Sequence, residues 1–355
     1  MADRDKILNN DGKRELSERE RQILHKIVHL YILKASPVGS RFLSKYIEND
    51  MKLSPATMRN IMSDLEELEY ISHPHTSAGR IPTDKGYRFY VNSLQSFEKL
   101  NSVELSAVKK TLSQGDSDNL LKNASKILGL LSKYLGIVKF PHLRDLIIQK
   151  IELIQLSSTR LLVVLALESK QIRTVTLEAD CEIDSADLDS LSIYINERLT
   201  AKPLKFIRDN FADIIRDSDM GNTPLVRLFT ESIDRIFASY QSSERVHIAG
   251  TPNLLDYPEF ETPERFKGVI ELIEDEDVIV HLLDNIENKD GVIISIGAEH
   301  ENLIMSDYSL IKSTYKMGSA TGTIGLIGPK RMNYGKMITI VKYISDYLSK
   351  HNDYN

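Results

Sequence analysis

Three helical segments open the sequence, and their order limits the folds that the chain can adopt. The first begins at Ser17, which stands three residues before Glu20 as in a capping box. A shorter segment follows the chain break at Gly39, and the third begins at Ser54, with Pro55 in the first helical position. Apolar residues recur every three or four positions in each segment, so each is predicted to pack one face against a common core.

A short β-hairpin is predicted after the third segment, because the helical period stops at residue 70. Residues 70–72 and 80–83 are typical of two strands, and the loop HPHTSAGR lies between them. Thr83 can then cap a fourth helix, DKGYRFYVNSL. Three helices followed by a hairpin is the order of a winged helix-turn-helix domain, which places the N-terminal part of its third helix in the major groove of DNA.

The third helix has an apolar face and a polar face. The polar face carries Arg59, which can bond a guanine edge or a phosphate, and Asn60, which can pair with an adenine edge. Basic residues flank this helix and can bind phosphates, which position a protein on DNA without reading its sequence. The candidate DNA contacts are Ser54, Ala56, Thr57, Arg59, Asn60 and Ser63 at the third helix, Arg41, Lys45 and Lys52 beside it, and Arg80 near the hairpin tip, with His73 and His75 next to it.

Charge is unevenly distributed along the chain. A net charge of −6 argues against a protein that coats nucleic acid along its whole length. Residues 1–100 carry a net charge of +2 and the remainder −8, so the N-terminal part suits a polyanion better. An Arg–Asn pair is also common on an ordinary solvated helix, and some winged domains bind protein instead of DNA. The residues alone leave these alternatives open.

Two runs, LSPATMRNIMSDLEEL and SAGRIPTDKGYRFYV, make the sequence similar to the heat-inducible transcription repressor family, HrcA. The resemblance covers essentially the whole chain from about Leu16 and is clearest at residues 16–92 and 318–350. It implies a dimeric bacterial repressor that binds an inverted repeat upstream of chaperone operons, releases it on heat stress and regains activity with help from the chaperonin. It also implies recognition-helix roles for Thr57, Arg59 and Asn60 and a wing role for Arg80.

Two positions depart from the pattern of that family. Ile61 stands where the family often has an acidic residue, and Glu69 stands where a glycine commonly ends the third helix. The second difference matters more, because glycine readily adopts the left-handed conformation that stops a helix. Residues 1–15 are polar and are predicted to form a mobile N-terminal arm.

The predicted fold class is multi-domain α+β, with a winged-helix domain at residues 16–99 and a linker at 100–119. The run LLKNASKILGLLSKYLGIV is predicted to be helical throughout. Strands are predicted at DLIIQKIELIQL, RLLVVLALES and QIRTVTLEA, then at GVIISIG, LIMSDYSLIKSTYKMG and TGTIGLIGP, before a last helix in YGKMITIVKYISDYLSK. Together with the resemblance, this order implies a GAF-like antiparallel sheet domain split into residues 120–185 and 263–355.

A different pattern occupies residues 186–262, where two helical stretches precede a proline-rich loop. The resemblance implies that an inserted segment here serves dimerisation. A local core of this segment's own is the competing interpretation of its apolar residues. The candidate interface residues are Leu188, Leu191, Ile195, Leu225, Leu228, Phe229, Ile233 and Phe237.

The sequence offers little that suggests catalysis, so no enzyme activity, cofactor or metal is expected. The run GSATGTIGLIGPKR is glycine-rich, but Pro329 follows Gly328 where a phosphate loop has Lys and then Ser or Thr. Its glycines, from Gly318 to Gly328, are predicted to mark turns and close packing in a sheet. Glu299, His300 and Glu301 are consecutive, so in a strand they cannot all face one site. The competing function is a metabolite-sensing regulator with a ligand in the GAF-like domain.

The expected location is the cytoplasm. Cys181 is the single cysteine, so no internal disulfide can form. No apolar run reaches the roughly 18 residues that a membrane span needs, and the polar start does not resemble a signal peptide. The expected partners are therefore double-stranded DNA, a second copy of the chain and, through the resemblance, the chaperonin, with no membrane.

Overall fold

A computed structural model gives the fold of this chain. It describes residues 14–353 except for 75–78, 114–116, 142–144, 169–171, 217–222, 238–245, 285–290 and 301. The chain divides into two compact units. The first comprises Met1–Leu100, Ile294–Leu310 and Ile327–Thr339, and the second comprises Asn101–Ile293, Ile311–Leu326 and Ile340–Asn355. Of the predicted N-terminal arm, residues 1–13 lie outside the described part of the chain.

The first unit contains the predicted winged helix-turn-helix. Its elements are α1 (Glu18–Lys34), α2 (Ser40–Tyr46), α3 (Pro55–Glu67), β1 (Ile71–Ser72), β2 (Ile81–Pro82) and α4 (Asp84–Asn92). Ser17 and Glu20 form the predicted capping box, and the side chains of Ser54 and Thr83 cap α3 and α4. β1 and β2 pair in antiparallel register. The order of elements in this domain is confirmed, with each start signal located as predicted.

The three helices share one core because each buries a single stripe. α1 contributes Leu24 and Ile27, α2 contributes Leu43, and α3 contributes Met58 and Leu65, all fully buried. These positions recur three or four residues apart along each helix, so they lie on one side. The apolar face predicted for α3 is thereby fixed against the core, and the opposite face points outward.

A left-handed residue ends α3, as glycine does in the family, although the residue here is Glu69. Its φ is 63°, and its amide donates to the carbonyl of Glu66 at 2.9 Å. The amide of Tyr70 donates to the carbonyl of Leu65 at 3.0 Å, which completes a Schellman motif. The hydroxyl of Thr83 donates to the Glu69 carbonyl at 2.6 Å. The surrounding hydrogen bonds therefore hold a non-glycine residue in a conformation that is unfavourable by about 1–2 kcal/mol.

The second unit begins with one helix where a linker was predicted, and continues with a second helix that was predicted. α5 (Ser102–Leu112) starts with a capping box formed by Asn101 and Glu104, and α6 (Ser117–Ser132) follows. Val108 and Leu112 are buried, so α5 is part of the packed structure. β3 (Leu135–Lys139) corrects the prediction of one continuous helix, because this short apolar run is buried at every position as a strand.

Three further strands form a sheet of their own. They are β4 (Ile148–Gln155), β5 (Arg160–Leu167) and β6 (Ile172–Glu178), in the antiparallel order β4-β5-β6. Helices α7 (Ser185–Leu199), α8 (Leu204–Arg216), α9 (Pro224–Glu231) and α10 (Ile233–Ile236) follow them. One hydrophobic cluster joins the inner face of this sheet to all four helices, from Leu146 to Phe237. This core crosses the boundary predicted at residues 185/186, so the three strands pack with the inserted segment.

The same cluster corrects the list of candidate interface residues. Six of them are buried in the core of a single chain, and two are partly buried against it, so their side chains already have packing partners. The buried six are Leu188, Leu191, Ile195, Leu225, Phe229 and Phe237, and the partly buried two are Leu228 and Ile233. The alternative interpretation of these residues, a local core, is the one that the structure shows.

A five-stranded sheet forms the rest of the fold. β7 (Val246–Ala249) is followed by α11 (Thr251–Leu255), α12 (Pro263–Glu274) and α13 (Glu276–Asp284), and then by β8 (Val292–Ile296), β9 (Tyr308–Met317), β10 (Ala320–Pro329) and α14 (Tyr334–Asp353). The strand order is β7-β3-β10-β9-β8. Gly318 turns the chain between β9 and β10 with a φ of 62°, as the glycine pattern predicts. Among the described helices, none is long and apolar enough to cross a membrane.

Candidate nucleic-acid interface

The N-terminal end of α3 is shaped by its cap. The Ser54 hydroxyl accepts a hydrogen bond from the Thr57 amide at 3.1 Å and lies 2.9 Å from the Thr57 hydroxyl. Pro55, in the first helical position, lacks an amide that would otherwise need a partner. The cap leaves the helix terminus exposed to solvent, where its partial positive charge favours an anion such as a phosphate.

The predicted contact residues of α3 share one exposed face. Ala56, Thr57, Arg59, Asn60 and Ser63 are all exposed, whereas the apolar residues between them are buried. The small side chains at both ends of this face leave room for close approach. Arg59 and Asn60 project from its middle, and both carry donors that can reach base edges.

Four cations surround this face without acidic partners in the described part of the chain. Arg59 lies on the face itself, Arg41 and Lys45 lie on α2, and Lys52 precedes α3. All four are exposed, and none forms an ion pair with a described residue. Cations that are not already neutralised can each displace a counterion from DNA.

The position of Arg80 differs from the predicted one, which was near the tip of the wing. The Nε of Arg80 donates to a carboxylate oxygen of Glu66 at 2.8 Å. Its Nη2 lies 2.7 Å from the same oxygen in an ion pair. Its backbone pairs with that of Val38, the residue before Gly39. Arg80 is therefore at the base of the hairpin with its charge already paired. His73 also pairs with Glu66, whereas His75 lies outside the described residues.

The pKa of Glu66 reports on this pairing. Partial burial raises the pKa, but the hydrogen bond to His73 and the positive charge of Arg80 together outweigh burial and lower it. Glu66 is thus charged at neutral pH. This cluster was not predicted, because the two partners of Glu66 follow it by seven and fourteen residues.

Two aromatic residues of α2 lie on the surface. Phe42 and Tyr46 are 41% and 47% exposed, and their rings stack with centroids 6.2 Å apart. The Lys34 ammonium lies 3.8 Å from the centre of the Phe42 ring. Together with Arg41 and Lys45 on the same helix, they make the outer surface of α2 both aromatic and basic.

Glu299, weighed in the sequence as part of an acidic cluster, has a structural partner in the first unit. It accepts hydrogen bonds from Arg88 of α4, one of them at 2.7 Å, and these bonds raise the pKa of Arg88. Asp84 of α4 forms a second ion pair with Lys330 at 2.7 Å. Across the described residues, no group of three or more His, Cys, Asp and Glu side chains is arranged to hold a metal ion.

Comparison with known proteins agrees with these features. Residues 15–96 match the family model described as "Winged helix-turn-helix transcription repressor, HrcA DNA-binding". Residues 118–338 match the model described as "HrcA protein C terminal domain". The solved structure of a hypothetical protein is similar with a TM-score of 0.60 at 25% identity, covering 95% of this chain and 99% of that chain.

Curated relatives match over nearly their full length. The heat-inducible transcription repressor HrcA of Chlorobium phaeobacteroides (strain BS1) is 35% identical over 351 residues, which cover 94% of this chain and 98% of the relative. That of Chlorobaculum tepidum is 35% identical over 352 residues, which cover 95% and 98%. These relatives are transcription repressors and not members of an enzyme class. With an exposed recognition helix and matches to both HrcA models, the chain belongs to the HrcA family of heat-inducible transcription repressors.

Proposed function

We propose that this chain represses chaperone operons by binding an inverted-repeat operator as a dimer, and that it releases the operator on heat stress. The observation that carries the proposal is the exposed polar face of α3, surrounded by cations that have no acidic partner in the described chain. In this mechanism α3 enters the major groove through its N-terminal half. Arg59 and Asn60 contact base edges, and Arg41, Lys45 and Lys52 contact phosphates.

The dimer is proposed to form through the outer face of the sheet β4-β5-β6. The central strand β5 is apolar on both faces: Leu161, Val163 and Leu165 face the core, and Leu162 and Val164 face outward, half-buried. Strands with two apolar faces are typical of sheets that are covered on both sides. The described residues cover only the inner face of this sheet.

A second copy of this chain is the occupant that suits this face. The edge strand β4 places Lys150 and Glu152 on the outer side, where they pair across the sheet with Ala166 and Val164. Lys150 and Glu152 form an ion pair within one chain, and a two-fold axis would place this pair opposite the same pair of the other copy in the reverse direction, around an apolar centre. Such self-complementarity is what an isologous interface requires. The exposed Ile172, 71% accessible, and Ile154 extend the apolar area at opposite edges of the sheet.

Release on heating needs no dedicated sensor. Because a change of about 1–2 kcal/mol alters a conformational equilibrium by a factor of 5–30, modest weakening of the dimer or of its DNA-competent form is sufficient. The chaperonin is proposed as the partner that restores the active form, and the cytoplasm as the place of action. The five-stranded sheet, with α6, α13 and α14, is proposed to be the GAF-like domain.

Fluorescence-anisotropy titration tests the proposed function. The probe is a labelled duplex with the inverted repeat of the host chaperonin promoter, beside a scrambled duplex of equal composition, at several salt concentrations. We expect the repeat to bind at least ~10³-fold more tightly than the scrambled duplex. Equal binding of both, falling steeply with salt, would show phosphate attraction alone and contradict specific repression.

A further inference from the structure

An acidic residue occupies a place in α3 where its charge is unfavourable on two counts. Glu66 lies in the last turn of the helix, where the negative end of the helix dipole repels a carboxylate. It also lies on the recognition helix, where a negative charge opposes the approach of DNA. Its environment must therefore supply compensating contacts, and these contacts indicate what the residue does.

Each oxygen of the Glu66 carboxylate contacts a different leg of the wing. Oε2 accepts a hydrogen bond from Nε of Arg80 at 2.8 Å and lies 2.7 Å from its Nη2, and Arg80 comes immediately before β2. Oε1 pairs with Nδ1 of His73, immediately after β1. The side chains of Glu66 and Arg80 are only about one quarter exposed, so the pair is better shielded from solvent than an ordinary surface ion pair.

Arg80 is also hydrogen-bonded to Val38, in the segment before α2. Its amide donates to the Val38 carbonyl at 2.9 Å, and the Val38 amide donates back at 2.8 Å. The preceding residue, Gly79, approaches so closely that an added Cβ would lie 2.6 Å from the Val38 carbonyl. The base of the wing is thus joined to the recognition helix and to the segment that enters α2.

We propose that Glu66 is a positioning residue for operator recognition, because its carboxylate fixes the wing at one angle to the recognition helix. The proposal rests on the proposed function, in which α3 contacts the operator, and adds that the wing contacts the operator beside α3. It assigns Arg80 to this internal contact. The competing explanation is that Glu66 only neutralises the charge of Arg80, and the two explanations predict opposite effects of removing the carboxylate charge.

Glu66→Gln is compared with Glu67→Gln, which removes the same charge from the exposed neighbouring position. We expect Glu66→Gln to weaken binding of the inverted-repeat duplex about tenfold while binding of the scrambled duplex stays equal or tightens. Glu67→Gln should tighten both slightly. If Glu66→Gln binds the repeat as tightly as Glu67→Gln does, Glu66 has no positioning role.

Arg80→Lys separates charge from geometry. Lysine keeps the positive charge but cannot present two parallel N–H groups to one carboxylate. We expect the same loss of discrimination as with Glu66→Gln. Wild-type discrimination by Arg80→Lys would favour simple neutralisation and overturn the proposal.

Hydrogen exchange of the full chain without DNA keeps the proposal testable even if the inverted repeat is not the operator. We expect peptides that end at residues 80–82 to exchange about tenfold faster in Glu66→Gln than in wild type or Glu67→Gln, with an unchanged unfolding midpoint. Unchanged exchange would overturn the positioning role. Failure of wild type to discriminate the two duplexes, with faster exchange in Glu66→Gln, would instead contradict the proposed function.

Discussion

Two uncovered faces of this molecule have opposite chemistry. The outward face of α3 is polar and small, with Arg59 and Asn60 at its centre, whereas the outward face of β5 is apolar, with Leu162 and Val164 at its centre. A polar face is well solvated when unoccupied, so it suits a partner that binds reversibly and dissociates when the salt concentration or the temperature rises. An apolar face is stable only when covered. The contrast supports our proposal that the helix binds DNA and that the sheet binds a second copy of the chain.

The largest expected effect comes from placing a charge on the apolar face. Val164→Asp puts a carboxylate in each copy at the centre of the proposed interface, where it would be buried without a partner. We expect the dissociation constant of the dimer to rise at least ~10²-fold, since an unpaired buried charge is unfavourable by about 3–5 kcal/mol. Sedimentation velocity over a range of concentrations measures this change.

Ser158→Asp is the matched control for Val164→Asp. Ser158 is exposed in the turn between β4 and β5, so the same charge is added outside the proposed interface. The Val164 side chain is half-buried in one chain, and we expect the Val164→Asp monomer to remain folded by circular dichroism. A Val164→Asp protein that stays dimeric would show that the dimer forms elsewhere.

The polar face should respond to loss of a single base contact. Asn60→Ala removes an exposed amide that can pair with an adenine edge, and we expect a loss of about 1–3 kcal/mol for the operator. Binding to the scrambled duplex should not change, because the amide carries no net charge. Gln22→Ala, which removes an exposed amide from α1, is the control in the same anisotropy titration. Undiminished operator discrimination by Asn60→Ala would place the recognition face elsewhere.

A glycine in the turn after α3 should stabilise the folded protein. Glu69 has a φ of 63°, which glycine adopts without strain, so Glu69→Gly relieves about 1–2 kcal/mol while adding flexibility to the unfolded chain. We expect a net gain of about 0.5–1 kcal/mol in the free energy of unfolding, measured by urea denaturation. Glu67→Gly, inside the helix, should destabilise by about the same amount. Destabilisation by Glu69→Gly would mean that its side chain has a stabilising role.

Local signals made the winged-helix domain predictable from the sequence. Ser17, Ser54 and Thr83 each cap a helix through the amide three residues later, so a short window of sequence contains the whole interaction. The exposed face of α3 followed from its helical period. The strand β3 was missed because a buried apolar run of five residues fits a helix and a strand equally well.

Interactions between distant residues were not predictable in this way. The apolar runs of β4, β5 and β6 predict strands, but they do not show which helices cover these strands. The boundary predicted at residues 185/186 therefore divides one hydrophobic core. The DNA contact predicted for Arg80 requires a free guanidinium group. In the structure this group is paired with Glu66, which lies fourteen residues earlier in the sequence. Sequence spacing predicted which residues of α3 are exposed, but it did not predict which side chains already pair with other parts of the protein.

The smallest expected effect is on the salt dependence of DNA binding, which should differ between the loss of an unpaired cation and the loss of a paired one. Lys45 is exposed on α2 and forms no ion pair with a described residue, whereas Lys26 on α1 lies 3.1 Å from the Asp50 carboxylate. Lys45→Ala should weaken binding to both duplexes alike, by less than about tenfold, and reduce the salt slope by about 0.9 per copy, since one fewer counterion is released. Lys26→Ala should leave that slope unchanged. Equal slopes for wild type and Lys45→Ala would remove α2 from the DNA contact, and the polar face of α3 would then have to bind DNA without it.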